Sequence, residues 1–313
     1  MQITDTILMI RPVNFRMNEQ TVINNFFQED LALQNELINA NAQKEFDAFV
    51  EVLQSKGIHV VVIEDEAEKD TPDSIFPNNW VSFHRSGTVC LYPMFAENRR
   101  KERRTDILDV LKLKGFQVEK VVDYSYTEER GIYLEGTGSL IMDRVHQKVY
   151  CALSDRAHKD LVFAFCKDFD CTPVIFTANQ SVGNQRLPIY HTNVMMALGE
   201  AFATICLDSI DDSQERKQVE KHLREDGKEI IPITEHQMHH FAGNMLQLIG
   251  KNEKRYTVMS SQAYKSLAPS QVSAIQAYSE IIHSPLDTIE ACGGGSARCM
   301  MAEVFLPLLA VTN

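Results

Sequence analysis

The chain has 313 residues, 44% hydrophobic and 24% charged, enough to bury a substantial core in one large domain or two ordinary ones. A formal net charge of −12 argues against a nucleic-acid surface, because phosphate binding draws on Lys and Arg. No stretch approaches the roughly 18 apolar residues of a membrane span. The first apolar run, ending at Arg11-Pro12, is too short and too charged at its edges for a signal peptide. Seven cysteines, an odd number set mostly in apolar patterns, read as reduced thiols of a cytoplasmic protein.

In chain order, Thr6–Ile10 reads as a strand and residues 12–40 as an insertion that could act as a lid. A helix follows at Ala42–Gln54, stopped by Gly57, and then a strand at Ile58–Ile63. From here one order of elements repeats: strand, strand, helix, strand. The first unit has Trp80–Phe83, Val89–Tyr92, a charged helical stretch to Lys114 and Phe116–Val122. Its run Arg99-Arg100-Lys101-Glu102-Arg103-Arg104 reads as a solvated helix face. The second has Leu140–Met142, Lys148–Leu153, a helix opened by Ser154 or Asp155, and Pro173–Phe176. The third has Val194–Leu198, Ala203–Leu207, a helix over Ser213–Glu225 stopped by Gly227, and Glu229–Ile233. The fourth has Met245–Ile249, Tyr256–Met259, a helix near Ser270–Ile282 and a strand at Leu286–Ala291.

The strand starts Trp80, Leu140, Val194, Met245 and Met300 lie 60, 54, 51 and 55 residues apart, the signature of a repeat architecture. Cys299–Leu306 would be the first strand of a fifth unit whose second strand is Thr6–Ile10. Pairing the chain's two ends in one unit closes a sheet ring and removes exposed edges. The expected fold is therefore α/β: a five-bladed, pseudo-symmetric α/β propeller, one domain over residues 1–313.

Matching strand starts in such a ring point at one axis, so Glu135, His191 and Cys299 would converge, with Asn78, Asn79 and Asn193 beside them. Carboxylate, imidazole and thiol together are what acyl-type cysteine chemistry requires. The His moves protons while the Glu orients it and raises its basicity. Gly293-Gly294-Gly295, just before Cys299, would let backbone amides approach a developing anion. The cluster His236, His239, His240 lacks a carboxylate or thiol companion, so neither a metal nor a cofactor is expected.

On these residues the chain resembles the guanidino-group-modifying superfamily: arginine and agmatine deiminases, dimethylarginine hydrolases and amidinotransferases, with its closest likeness to bacterial proteins of citrulline use. The resemblance spans essentially the whole chain and implies the five-bladed fold (a pentein), with Cys299 as nucleophile, His191 as general acid/base and Glu135 as its partner. Guanidine-handling members place aspartates in the first motif and two residues after the His, where this chain has Asn79 and Asn193. A guanidinium offers only donors and a positive charge, whereas an Asn amide suits a neutral ureido group with both donors and an acceptor. The implied reaction is cleavage of citrulline to ornithine, carbon dioxide and ammonia through a covalent cysteine intermediate. Arg186, Arg11 or Arg16 would hold the substrate carboxylate. The competing expectations are deiminase- or amidinotransferase-like chemistry on a guanidine, or a non-catalytic propeller that binds a partner. The expected partner is a small amino acid, with no nucleic acid and no membrane; self-association is left open.

Overall fold

A computed structural model describes residues 1–309. Five three-stranded sheets share one plan, in which the first strand runs antiparallel to the second and the second parallel to the third. The sheets are Val81–Phe83 with Thr88–Leu91 and Lys120–Asp123, and Ile141–Asp143 with Lys148–Ala152 and Thr172–Phe176. The next two are Met196–Leu198 with Phe202–Ile205 and Glu229–Pro232, and Leu246–Ile249 with Arg255–Ser260 and Glu280–Ser284. The fifth joins the two ends of the described chain: Ala302–Glu303 pairs antiparallel with Thr6–Arg11, which pairs parallel with His59–Glu64. Each second-to-third connection carries a helix, as a parallel crossover requires.

The strand Thr6–Arg11 shows how the core divides. Ile7 and Met9 face one apolar cluster with Phe46 and Phe49, while Leu8 and Ile10 face another with Trp80 and Val81. Both faces are buried, so the strand is continuously apolar. The helix Asn35–Ser55 covers the first cluster with Ile38, Ala42, Phe46, Phe49, Val50 and Leu53 on one stripe. Gly57 ends it at φ +77°, and a Cβ there would lie 2.7 Å from Lys251 Cβ. Ser213–Glu225 is opened by Asp212, whose carboxylate accepts from the amides of Gln214 and Glu215, and ends before Gly227 at φ +70°.

Several expected elements shift. The fourth unit's third strand is Glu280–Ser284, not Leu286–Ala291; the latter lies in a helix, Asp287–Gly293, and the preceding helix stops at Gln276. The β-branched pair Ile281-Ile282 pairs with Thr257 and Val258, which leaves Leu286 and Ile289 as neighbours on a helical face. The insertion is irregular only to residue 34, because the long helix already begins at Asn35. A hairpin, Asn179–Val182 with Gln185–Pro188, was not expected. The first strands also begin later than the sequence suggests. Pro77–Asn79, Gly136–Ser139 and Thr192–Met195 each form a single helical turn ahead of the strand. Those turns carry the polar residues.

Ile7→Ala should cost about 2–5 kcal/mol, the range for emptying a core site of this size, read from urea unfolding midpoints. Its side chain is wholly buried where the two chain ends pair.

Candidate active site

Glu135 and His191 stand just ahead of two of these turns, at corresponding positions, and meet. His191 Nε2 lies 2.7 Å from Glu135 Oε2, and both side chains are buried. Glu135 Oε1 accepts from the Phe95 amide at 2.9 Å. Burial pushes the Glu135 carboxyl up, but Arg156, the hydrogen bond to His191 and Arg99 bring it down to about 2. The carboxylate therefore accepts the Nε2 proton. Burial lowers His191 to about 4, against the upward pull of Glu135 and with further lowering from Arg156 and Arg99. A neutral imidazole results, with Nδ1 left as the proton acceptor.

Cys299 is buried at the end of the turn that follows the three glycines. Two carboxamides donate to its sulfur: Asn193 Nδ2 at 3.3 Å and Asn244 Nδ2 at 3.2 Å. Asn79 Nδ2 donates to Asn78 Oδ1 at 3.0 Å, and Asn79 Oδ1 accepts from Arg99 at 2.9 Å. Asn79, His191 and Cys299 line one small cavity with Asp73, Arg99 and Arg156. The cavity is almost filled by side chains. Three buried polar atoms around it have no partner among the described residues: Asp73 Oδ1, Asn193 Oδ1 and Asn78 Nδ2. Native proteins leave few such atoms unpaired, so a site with one in the cavity lining and one on a side chain that touches the thiol is suited to a polar ligand.

Four of the residues that build this region escaped the sequence reading. Arg99 is the largest departure, because it is not on a solvated face. Its guanidinium is 2% exposed and binds Glu102 through two hydrogen bonds of 2.9 Å, with Asp73 at 3.7 Å and Glu135 at 3.8 Å. The Glu three residues on, Glu102, was the available signal. Burial pushes Glu102 up to about 8 although Arg99 opposes the shift. Arg156 lies 3.6 Å from Glu135 and over the Tyr190 ring, and its head is held by Asn24 Oδ1 and Thr21 O. Asp73 accepts from Asn18 at 2.8 Å; burial raises its carboxyl while Arg99 and Asn18 oppose this. Asn244 directly precedes Met245, the expected start of the fourth unit.

The three expected carboxylate anchors are not here, and this corrects the sequence reading. Arg186 sits on the surface hairpin, clamped by Asp211 and Glu235 at 2.7 Å each. Arg11 is taken by Asp47 at 2.8 Å and Glu64 at 3.3 Å, and Arg16 by Asp70 at 2.8 Å. Arginines at or near the surface of an acidic chain find carboxylates nearby, and proximity in sequence to His191 or the insertion did not bring them to the site. The glycines also act differently from expectation. A Cβ on Gly293 would lie 2.7 Å from the Phe76 ring and one on Gly294 2.5 Å from Asn25 Nδ2, so the run admits neighbouring side chains. His236 and His240 pack against each other with their rings tilted by 36°, and His239 stacks on Phe27. Among the described residues, Asp143, His146 and Asp226 bring three potential metal-ligand atoms within 4.8 Å. Lys228 at 3.1 Å and Lys148 at 2.7 Å already neutralise those carboxylates.

A buried Cys, His and Glu reached from turns of a repeated α/β unit define the guanidino-group-modifying class, and the comparisons agree. The chain belongs to the dimethylarginine dimethylhydrolase family: the family model described as "N,N dimethylarginine dimethylhydrolase, eukaryotic" matches residues 11–306. Its fold is similar to ArgZ, an arginine dihydrolase from the ornithine-ammonia cycle in cyanobacteria, at TM-score 0.72 and 17% identity. That match covers 97% of this chain but only 41% of ArgZ. Against the N-terminal domain of ArgZ bound to substrate, the match covers 97% of this chain and 99% of that domain, at TM-score 0.72 and 16% identity. A dimethylarginine dimethylaminohydrolase adduct matches at TM-score 0.62 and 15% identity over 96% of this chain and 99% of that one. No curated protein matches the sequence. Among the described residues no helix is long and apolar enough to cross a membrane.

Gly138→Ala tests the packing of the site. A Cβ there would lie 2.5 Å from Asn79 Nδ2 and 2.8 Å from His191 Nδ1. The expected outcome is a folded protein, by circular dichroism, whose kcat/KM falls about 100-fold, the cost of misplacing a reacting group by about 1 Å.

Proposed function

We propose that the protein is a cysteine hydrolase that cleaves citrulline to ornithine, carbon dioxide and ammonia. The observation that carries this reading is the polar environment of Cys299. Its sulfur is met by the carboxamides of Asn193 and Asn244, and Asn79 lines the same cavity. Two carboxylates would suit a cationic guanidinium, and leaving that cation without them in a dry site costs several kcal/mol, about 3–5. A ureido group is neutral. It can donate to Asn193 Oδ1, which has no partner, and accept from an Asn Nδ2. The amino-acid end matches the remaining charges, with Arg156 for the carboxylate and Asp73 Oδ1 for the ammonium.

In this reading, Cys299 gives its proton toward the neutral His191 as Sγ bonds to the ureido carbon. Collapse of the tetrahedral adduct breaks the bond to the ornithine nitrogen, which takes the proton from His191. Sγ is left carrying a carbamoyl group. Water, deprotonated by His191, then displaces the thiolate, and the released carbamic acid breaks down to carbon dioxide and ammonia. Glu135 keeps the Nε2 proton in place and steadies the imidazolium formed in each half-reaction. Residues 12–34 serve as the lid: Asn25 and Gln28 bond carbonyls of the Cys292–Gly294 run, and Asn24 holds Arg156, so this segment must shift for substrate to enter the filled cavity. The five sheets are read as blades around one axis, which explains how turns from four units reach one thiol. Seven unpaired cysteines suit a reducing cytoplasm.

A second reading, hydrolysis of a guanidino substrate, is favoured by the relatives. ArgZ is an arginine dihydrolase, and a variant of its N-terminal domain is covalently bonded to a reaction intermediate. Incubation with citrulline and with arginine separately, with products identified by mass spectrometry, distinguishes the two. Ornithine from citrulline, abolished in Cys299→Ser, is expected; turnover of arginine alone would replace the ureido reading with the guanidino one.

The pH profile follows from His191. A group lowered to about 4 stays neutral and able to accept a proton through pH 5–7. The acid limb of kcat/KM should therefore fall near pH 4, and a limb centred near 6.5 would contradict this environment. Glu135→Gln removes a charge that favours imidazolium, so the limb should move lower still while kcat drops about 10²–10⁴-fold.

A further inference from the structure

The thiol has side-chain hydrogen bonds from two carboxamides and, among the described residues, none from an imidazole. His191 Nε2 is committed to Glu135. Of the two amides, one is fixed and one is free. Asn244 is wholly buried, and its Oδ1 accepts from the Arg298 amide at 3.0 Å, the residue directly before the nucleophile. Its Nδ2 donates to the Asn193 carbonyl at 3.0 Å and to Cys299 Sγ at 3.2 Å. Both N–H donors of this side chain are used and its oxygen is engaged. A rotated amide would set its oxygen against the sulfur and its NH₂ against the Arg298 N–H, so the donor is locked toward Sγ. Asn193 instead leaves Oδ1 unpaired and keeps an acceptor for a ligand.

We infer that Asn244 is a positioning residue for the nucleophile: a fixed amide donor that stabilises charge on Cys299 sulfur, whereas Asn193 divides itself between sulfur and substrate. Negative charge collects on Sγ twice in the covalent scheme, as the S–H proton departs before the S–C bond forms and as the S–C bond breaks with its electron pair returning to sulfur. A hydrogen bond to an ionised group is worth about 1.5–3 kcal/mol, and a donor already oriented needs no reorganisation when charge appears. The backbone bond to Arg298 ties the same side chain to the turn that carries Cys299, so one residue both places and polarises the thiol. This inference rests on Cys299 being the nucleophile, not on the identity of the substrate.

The test reads the thiol without turnover. The rate of Cys299 alkylation by iodoacetamide is followed across pH 6–10 by peptide mass spectrometry, in the native chain and in Asn244→Ala, Asn244→Asp, Asn193→Ala and His191→Gln. Asn244→Ala should slow alkylation at pH 7.5 about 10–100-fold, the hydrogen-bond value expressed as a rate, and move the profile to higher pH. Asn244→Asp, which keeps the shape but sets a carboxylate beside sulfur, should slow it further. Asn193→Ala should raise KM more than it slows alkylation, and His191→Gln, which removes the proton acceptor and the later acid, should remove turnover while slowing alkylation far less. An unchanged profile in folded Asn244 variants overturns the assignment. So does a His191→Gln protein whose alkylation falls as far as its activity, an outcome that needs no Asn244 variant to fold. Failure of citrulline turnover with the alkylation pattern intact would reject the substrate and leave this role standing.

Discussion

One guanidinium taken wholly out of water organises this protein's centre. Burying Arg99 is costly unless every donor finds an acceptor. It binds Glu102 through two hydrogen bonds and Asn79 through one, and stands within 4 Å of Glu135 and Asp73. These contacts tie the first unit's turn to the carboxylate of the second. Arg156 adds a second buried cation from the other side of Glu135. Together they hold that carboxylate ionised in a dry site, while burial, with a smaller push from the same cations, keeps His191 neutral. Two opposite demands, a stable anion and an unprotonated base, are thus met by burial and two cations acting together.

The repeat makes that arrangement affordable. Each unit uses its apolar strands for packing and carries its site residues on or beside a short turn, so polar residues gather there without interrupting the sheets. Asn79, Glu135, His191, Asn193 and Asn244 all belong to or adjoin turns ahead of first strands, and Cys299 occupies the matching place before Ala302. Pairing Thr6–Arg11 with Ala302–Glu303 anchors the turn that bears the nucleophile to a strand buried on both faces. The irregular segment before Asn35 then lies across the site, fastened by carboxamides rather than by a sheet. Such side-chain bonds can be exchanged for bonds to a ligand without dismantling the core.

How much of this was legible in the chain differs residue by residue. Glu135 and His191 could be paired in advance because each stood at a corresponding point of a counted repeat. Asn79 and Asn193 were visible as departures from the aspartates of related enzymes. Arg99 was hidden by its neighbours: Arg100, Lys101, Arg103 and Arg104 make the run look solvated, and the one local cue, Glu102, does not by itself say which of five cations turns inward. Arg186 failed in the opposite sense, since its closeness to His191 along the chain is undone by a surface hairpin with Asp211 and Glu235 within reach.

The sequence by itself determined the five repeated units, the joining of the two ends in the fifth, and the thiol, imidazole and carboxylate at corresponding turns. Those follow from apolar periodicity and spacing, which are local properties. Tertiary structure alone decided which charges are buried, that amides and not an imidazole touch the sulfur, and that the glycines make room for Phe76 and Asn25. Burial and hydrogen-bond partnership depend on atoms contributed by segments up to 300 residues away. No local pattern encodes them.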